Sequence, residues 1–310
     1  MRDRSVFFVE MVLFFVAFMW GIHPAIVKIG LVTLPPVPYN ALRLLLATAV
    51  AWGAVWASGT YRPVAREDVR LLVQISLAGF FVFQLFFAAG VEKTTAGNAS
   101  LVVCMLPVSV AVINRVCGLE PITGRMAAGI AASLAGVVLI VLGSGKEISV
   151  ASEHWKGALL LLGAQAGYGY YTVFSRRLLG RYSAYQVTAV VVTISTALFA
   201  VMALPDLAAI SWGGVPVAAW LSVAYSGVFA MCVGNFLWVW GVGRIGSART
   251  SLFNNFAPVF AVVSGYYLLG EAFGLMQMAG AAVIFWGLYY ARPKQAGLPA
   301  APARAAGRED

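Results

Sequence analysis

The sequence is poor in charge. Of 310 residues only 11% are Asp, Glu, Lys or Arg, whereas 61% are hydrophobic and the mean hydropathy is +0.85. A soluble domain carries about a quarter charged residues and about half apolar ones, so this composition excludes a water-soluble globule and points to an integral membrane protein. Histidine is nearly absent, with only His23 and His154, which excludes a His-rich metal centre. The three cysteines, Cys104, Cys117 and Cys232, form no CxxC pair and lie in or beside apolar stretches. Their odd count excludes a disulfide framework and a thiol metal site, and they are expected to be small buried core residues. Walker, nucleophile-elbow and metalloprotease motifs are missing, so no cofactor, no metal and no enzymatic activity are expected. The net charge of +9 is scattered in ones to threes between apolar stretches, which argues against nucleic acid as a partner.

Long hydrophobic runs are what the chain has in abundance. A bilayer-spanning helix needs about 20 mostly apolar residues. Ten segments meet this: about 6–31, 38–58, 69–90, 95–116, 123–144, 155–178, 184–204, 215–240, 246–268 and 273–291. The first follows a short basic start but is too long for a signal-peptide core, and it is expected to be a retained span. Long apolar runs rather than alternating ten-residue segments exclude a barrel. The expected fold class is an all-α integral membrane protein of ten transmembrane helices, a monomer whose partners are the lipid bilayer and a small molecule.

Basic residues set the orientation. Arg2, Arg4, Arg62, Arg66, Arg70, Arg115, Arg125, Arg176, Arg177, Arg181, Arg244, Arg249, Arg292, Lys294, Arg304 and Arg308 fall on one side, and Lys28, Lys93, Lys146 and Lys156 on the other. The asymmetry predicts that both termini are cytoplasmic. The tail 292–310, rich in Ala, Pro and Gly, is expected to be disordered.

The chain also repeats itself. "GVEKTTAGNASLVVCMLPV" (90–108) aligns without gaps on "GVGRIGSARTSLFNNFAPV" (241–259) at an offset of 151 residues. The same offset pairs Gln84 with Asn235, Glu120 with Glu271, Gly129 with Gly280 and Gly136 with Gly287; near the start of each half, Trp20-Gly21 pairs with Tyr168-Gly169 at an offset of 148. Two halves of five spans each (6–144 and 155–291) must sit in the membrane with opposite orientation, because five is odd. Such inverted repeats occur in many secondary transporters, whose substrate sites lie near the midplane.

The halves resemble the EamA-type repeat of the drug/metabolite transporter superfamily. The marks are Phe-Met-Trp-Gly (18–21), Ala-Leu-Arg (41–43), the Gly241-to-Pro258 stretch, Leu268-Leu-Gly-Glu271 and the Gly280…Gly287 helix, and the resemblance covers about residues 8–291. It implies a ten-helix inner-membrane transporter similar to bacterial exporters of amino acids and other metabolites, with export rather than uptake resting on the resemblance alone. Importers or exchangers of sugar-like or nucleobase-like solutes, and a lipid scramblase, are the alternatives.

Strongly polar groups at membrane depth are costly and tend to face the bundle interior. Asn254 and Asn255 precede Pro258, which frees the carbonyl of residue 254. Either one asparagine satisfies a backbone group or a neighbouring helix, or at least one lines a cavity; the positions matching them are Val103 and Cys104, which favours the cavity, with Asn254 first. Gln84 and Asn235 form a symmetric pair that serves packing or cavity contact. Trp238 stacks on a substrate or belongs to an interfacial belt. His23 suits a proton relay or a neutral bond to a neighbouring helix, and Trp20, Tyr168 and Tyr171 offer rings and hydroxyls. Arg43, about one turn inside the second span, is expected to snorkel to the surface. Pro24, Pro107 and Pro258 are expected bend points. With no Asp inside a span and no midplane cluster of basic residues, the chemistry favours a neutral or zwitterionic metabolite with an apolar or aromatic portion.

Overall fold

The computed structural model of the chain describes residues 2–119, 123–143 and 153–290. Glu120, Lys146 and the tail 292–310 lie outside the described residues. Among the described residues there is no strand, and ten helical spans follow one another: α1 (Arg2–Leu31), α2 (Pro36–Ala57), α3 (Arg66–Glu92), α4 (Ala96–Val116), α5 (Gly124–Leu142), α6 (Glu153–Ser175), α7 (Ala184–Ala209), α8 (Val217–Ile245), α9 (Ser247–Leu269) and α10 (Leu275–Tyr290). Seven of them, α1 (from Val6) to α4 and α7 to α9, are long and apolar enough to cross a bilayer, and α5 and α10 are shorter apolar helices. Large apolar side chains such as Leu45, Trp56, Val201, Leu221 and Tyr267 stand exposed on the outside of the bundle, where lipid tails replace water. The chain is a multi-pass membrane protein with a ten-helix fold.

Several spans run beyond the expected bounds. α3 starts at Arg66 because Glu67 and Asp68 occupy its first turn, where the helix dipole favours acids, and α8 continues to Ile245 with Arg244 in its last turn. Gly246 alone joins α8 to α9, at φ +85°, a backbone conformation that a side chain would strain.

Each of the first five spans touches the span five places later. Trp20 of α1 and Tyr168 of α6 meet edge to face at 5.6 Å. Thr48 of α2 and Thr196 of α7 share a hydroxyl contact of 2.8 Å. The Gln84 amide of α3 donates to the Met231 sulfur of α8, and the Asn254 amide of α9 to the Val103 carbonyl of α4 at 2.7 Å. α5 and α10 approach most closely: a Cβ at Gly136 would lie 2.7 Å from the Gly280 carbonyl oxygen, one at Gly280 2.7 Å from that of Gly136, and one at Gly287 2.6 Å from that of Gly129. Apolar helices gain nothing from hydrophobic burial when lipid is equally apolar, so small residues that let backbones meet supply the attraction.

Helix irregularities follow the same pairing. α4 is interrupted at Cys104 and Met105 just before Pro107, and α9 passes through a 3₁₀ stretch, Leu252–Phe256, just before Pro258. Pro24 lies inside α1, which continues through it to Leu31. A neighbouring span also reaches this helix, the Tyr225 hydroxyl donating to the Met19 carbonyl at 2.9 Å. Two π-helical stretches, Ile75–Phe81 in α3 and Ser226–Val233 in α8, have no proline to announce them. The cysteine expectation needs one correction: Cys104 and Cys232 are buried, but Cys117 is exposed, because it lies beyond the last turn of α4, which ends at Val116.

Gly136→Ala is expected to lower the melting temperature of the purified protein, the overpacking costing about 1–3 kcal/mol. Gly53→Ala, whose Cβ would meet nothing within 4 Å, should leave it unchanged. Equal melting points for the two variants in a detergent thermal-unfolding assay would contradict the packing assigned to α5 and α10.

Candidate functional site

Polar residues spaced three and four apart share one helix face, and several spans turn such faces inward. α2 contributes Tyr39, Asn40 and Arg43; α3 contributes Gln84 and Phe87; α8 contributes Ser222, Ser226, Asn235 and Trp238; α1 adds Trp20 and His23, and α6 adds Tyr168 and Tyr171. Trp20 is partly buried; the others in this set are buried. Together they form one centre with a cationic end and an aromatic end.

Arg43 is the cationic end. It was expected to snorkel, but it is 0% exposed: α2 begins at Pro36, which sets Arg43 about two turns inside the span, on the face of Tyr39 and Asn40. Its Nε and Nη2 both donate to Asn40 Oδ1 (2.8 and 2.5 Å), Nη2 also donates to Gln84 Oε1 (2.9 Å), and Nη1 lies 3.3 Å from His23 Nε2. A guanidinium only donates, so Nε2 accepts and His23 is neutral with its proton on Nδ1. The Tyr39 and Phe87 rings lie 5.2 and 5.9 Å from the guanidinium carbon. Tyr39 Oη reaches Ser226 Oγ (2.6 Å) and Ser222 Oγ (2.8 Å), and Ser222 donates onward to the Ile26 carbonyl. Among the described residues Arg43 makes no ion pair. Burying an ion costs several kcal/mol even after relaxation, while a hydrogen bond from a charged donor returns about 1.5–3 kcal/mol.

The aromatic end adjoins it. Gln84 hands its amide to Met231, and Asn235 Nδ2 donates to the Met231 and Ala230 carbonyls (2.9 and 3.3 Å) while its Oδ1 accepts from Tyr168 Oη at 2.9 Å. Trp20 Nε1 donates to the Ala230 carbonyl, and Trp238 Nε1 to Thr172 Oγ1. The ring centroids of Trp20 and Trp238 lie 5.0 Å apart, those of Tyr168 and Tyr171 5.4 Å apart, and those of Tyr168 and Trp238 6.1 Å apart. The Tyr171 and Thr188 hydroxyls are buried with no hydrogen-bond partner beyond each other.

Of the residues singled out in the sequence, Trp20, His23, Gln84, Tyr168, Tyr171, Asn235 and Trp238 therefore come together. Asn254 and Asn255 are not bonded to that centre. Asn254 is buried and gives its amide to the Val103 carbonyl, the very carbonyl that Pro107 leaves without an intrahelical partner; its own carbonyl, which Pro258 cannot serve, accepts the Ala257 N–H of the 3₁₀ stretch, and the Cys104 thiol lies 3.8 Å from it. Asn255 is half-buried and its Oδ1 has no partner. Tyr39, Asn40, Arg43, Ser222 and Ser226 were missed as members, although the Tyr39-Asn40 and Arg43 spacing carries a shared polar face.

The centre is sealed on both sides. Glu271, at the end away from the basic loops, accepts the Ala96 and Gly97 N–H groups at the start of α4 (2.8 and 3.1 Å) and lies 3.9 Å from Lys28, a carboxylate placed where the helix dipole favours it. On the basic side a cavity of about 650 Å³ is lined by Phe8, Val12, Arg176, Tyr182, Trp240 and Arg244 among others, and none of the buried centre reaches it.

Known proteins match this chain along nearly its full length. The EamA-like transporter family matches twice, over residues 7–142 and 155–292. A probable terminal-alkyne amino-acid exporter of Streptantibioticus cattleyicolor is 26% identical, the match covering 85% of this chain and 86% of that protein. A probable amino-acid metabolite efflux pump of Salmonella typhimurium is 27% identical, with coverage of 88% and 91%. A solved crystal structure superimposes with a TM-score of 0.64 at 20% identity, covering 91% of this chain and 97% of the other, and so shares the fold.

Asn254→Ala should destabilise the protein by about 1–3 kcal/mol, because it orphans a buried carbonyl. Asn255→Ala, which removes an unpartnered acceptor, should cost less. Thermal unfolding of the two variants checks this ranking, and the reverse order would detach Asn254 from the Val103 carbonyl.

Proposed function

This chain belongs to the EamA-like transporter family, and we propose that it exports a small neutral or zwitterionic metabolite across the bacterial inner membrane by alternating access. It is a transporter rather than an enzyme. The substrate class we favour is an amino acid with an apolar or aromatic side chain. The observation that carries this reading is the sealed centre, which sets amide, hydroxyl and imidazole groups beside a packed cluster of the Trp20, Tyr168 and Trp238 rings. Such a mixture of ring faces and a few convergent polar groups is what a small amphiphilic solute needs. The relatives named for amino-acid export support both the substrate class and the outward direction. Because the polar centre is buried and not open to lipid, an enclosed solute is favoured over a lipid.

We read residues 6–144 and 155–291 as two repeats of opposite orientation, which exchange access by rocking against each other. The double family match and the five contacts between spans five places apart support this. In the described conformation the Glu271 contacts hold the side away from the basic loops shut, while the 650 Å³ cavity offers the start of an entry path on the basic side. We assign that basic side, with both termini, to the cytoplasm on the distribution of arginine.

Two measurements test the reading. Proteoliposomes preloaded with an amino-acid mixture should take up labelled amino acid in counterflow at least about tenfold faster than protein-free vesicles, and Trp238→Ala should abolish most of that uptake; no movement of any amino acid would refute the substrate class. A membrane-impermeant maleimide should label exposed Cys117 in inside-out vesicles and not in intact cells, and labelling in intact cells would reverse the orientation.

A further inference from the structure

We propose that Arg43 is the receiving cation for a carboxylate on the transported molecule, so that the substrates of this chain share an anionic headgroup as well as an apolar or aromatic portion. The inference deepens the transporter reading and rests on it.

Three observations lead there. First, Arg43 carries its charge into the bundle with 0% exposure, and every group it touches is neutral: Asn40, Gln84, His23 and two aromatic rings. Glu10, Glu67, Asp68 and Glu92 stand at span ends, and three of these pair elsewhere, Glu10 with Arg249 and both Glu67 and Asp68 with Arg181. A charged group inside a bundle ordinarily has a counter-ion or serves a function.

Second, the hydrogen-bond geometry around the guanidinium has the shape of an anion site. Nε and Nη2 form the fork that a carboxylate engages with two oxygens. Here that fork converges on a single amide oxygen, Asn40 Oδ1, while Gln84 Oε1 takes the second Nη2 proton. Two side-chain amide oxygens thus stand where carboxylate oxygens would, and their amide nitrogens are held by partners outside the guanidinium: Asn40 Nδ2 on the Gln84 carbonyl and Gln84 Nε2 on the Met231 sulfur.

Third, the scaffold does not require a cation here. At the 148-residue offset that brings Trp20 onto Tyr168 and Thr48 onto Thr196, Arg43 falls on Val191, Asn40 on Thr188 and His23 on Tyr171. The second half holds the same place with a buried valine and with the two hydroxyls that lack a partner beyond each other. A charge in one half and vacant hydrogen-bonding capacity in the other match a ligand with an anionic end and a donor end. The chain of contacts Arg43–Gln84–Met231–Asn235–Tyr168 links the anion position to the aromatic cluster.

The test compares L-amino acids with their C-terminal amides, which keep the amine and the side chain and lose the anion. In thermal-shift titrations of the wild-type protein, acids should bind about 10- to 100-fold more tightly than their amides. Arg43→Gln should bring that ratio close to one. Should Arg43→Gln fail to fold, Arg43→Lys serves in its place and is expected to retain a reduced preference for the acid. Wild-type protein that binds no acid more tightly than its amide overturns the inference, as does an acid preference that persists in folded Arg43→Gln. Counterflow separates the two readings: movement of amides as fast as acids removes the role of Arg43 and leaves the transporter standing, whereas acid-selective binding without any movement across vesicles keeps the Arg43 site and removes the transport assignment.

Discussion

A carbonyl that loses its helical N–H inside a bilayer has no water to turn to, and the middle of this bundle is organised around that constraint. Pro107 and Pro258 each free one carbonyl, on Val103 and Asn254. The Val103 carbonyl is answered across the interface between α4 and α9 by the Asn254 amide; the Asn254 carbonyl is taken by the Ala257 N–H of its own 3₁₀ stretch, with the Cys104 thiol beside it. The span ends are held by the same principle: Glu271, carried between α9 and α10, satisfies the first N–H groups of α4. Contacts between the two halves of the chain thus follow from the local needs of one proline-freed carbonyl and one helix start.

The polar centre faces the opposite problem. Its groups are not orphans created by the backbone but side chains that the chain could have omitted. Asn40, Gln84 and His23 surround a buried guanidinium, while Asn235 and Thr172 hold the tyrosine and tryptophan rings by their polar edges. Buried polar networks are stable only when nearly every member is satisfied, and here the satisfaction is uneven. It is dense around the rings and incomplete at Tyr171 and Thr188, and the guanidinium is hydrogen-bonded without being neutralised.

Much of this architecture is legible in the sequence because the bilayer imposes long apolar runs, and the ten spans follow from counting them. The two internal offsets make Gln84 equivalent to Asn235 and Trp20 equivalent to Tyr168, and the contacts of Gln84 with α8 and of Trp20 with Tyr168 appear only in the structure. Trp20, His23, Gln84, Asn235 and Trp238 stand out as polar or amphipathic residues in apolar surroundings, so the nucleus of the centre is visible too. Arg43 is illegible for a local reason: the apolar run that begins at residue 38 sets it near an end, where long basic side chains reach the surface, whereas α2 itself begins at Pro36. The bond of Asn254 is illegible for a non-local reason: of the two roles open to it, the backbone one is seen, and the freed carbonyl it serves lies in the other half of the chain, away from Pro258 in its own helix. The π-helical stretches left no trace, since widening a turn requires neither glycine nor proline.

Those stretches have a bearing on how the two spans present themselves. A π turn holds more residues than an α turn, closing its hydrogen bonds from i to i+5 instead of i to i+4. Along α3 and α8 the angular count therefore slips between the first segment and the last. The strip of α3 that lipid sees before Ile75 is not continued by the residues a uniform helical wheel would select after Phe81, and α8 slips in the same way between Ser226 and Val233. Gln84 and Asn235 lie just past those slips, and their inward aim is a property of the winding as much as of their position in the chain.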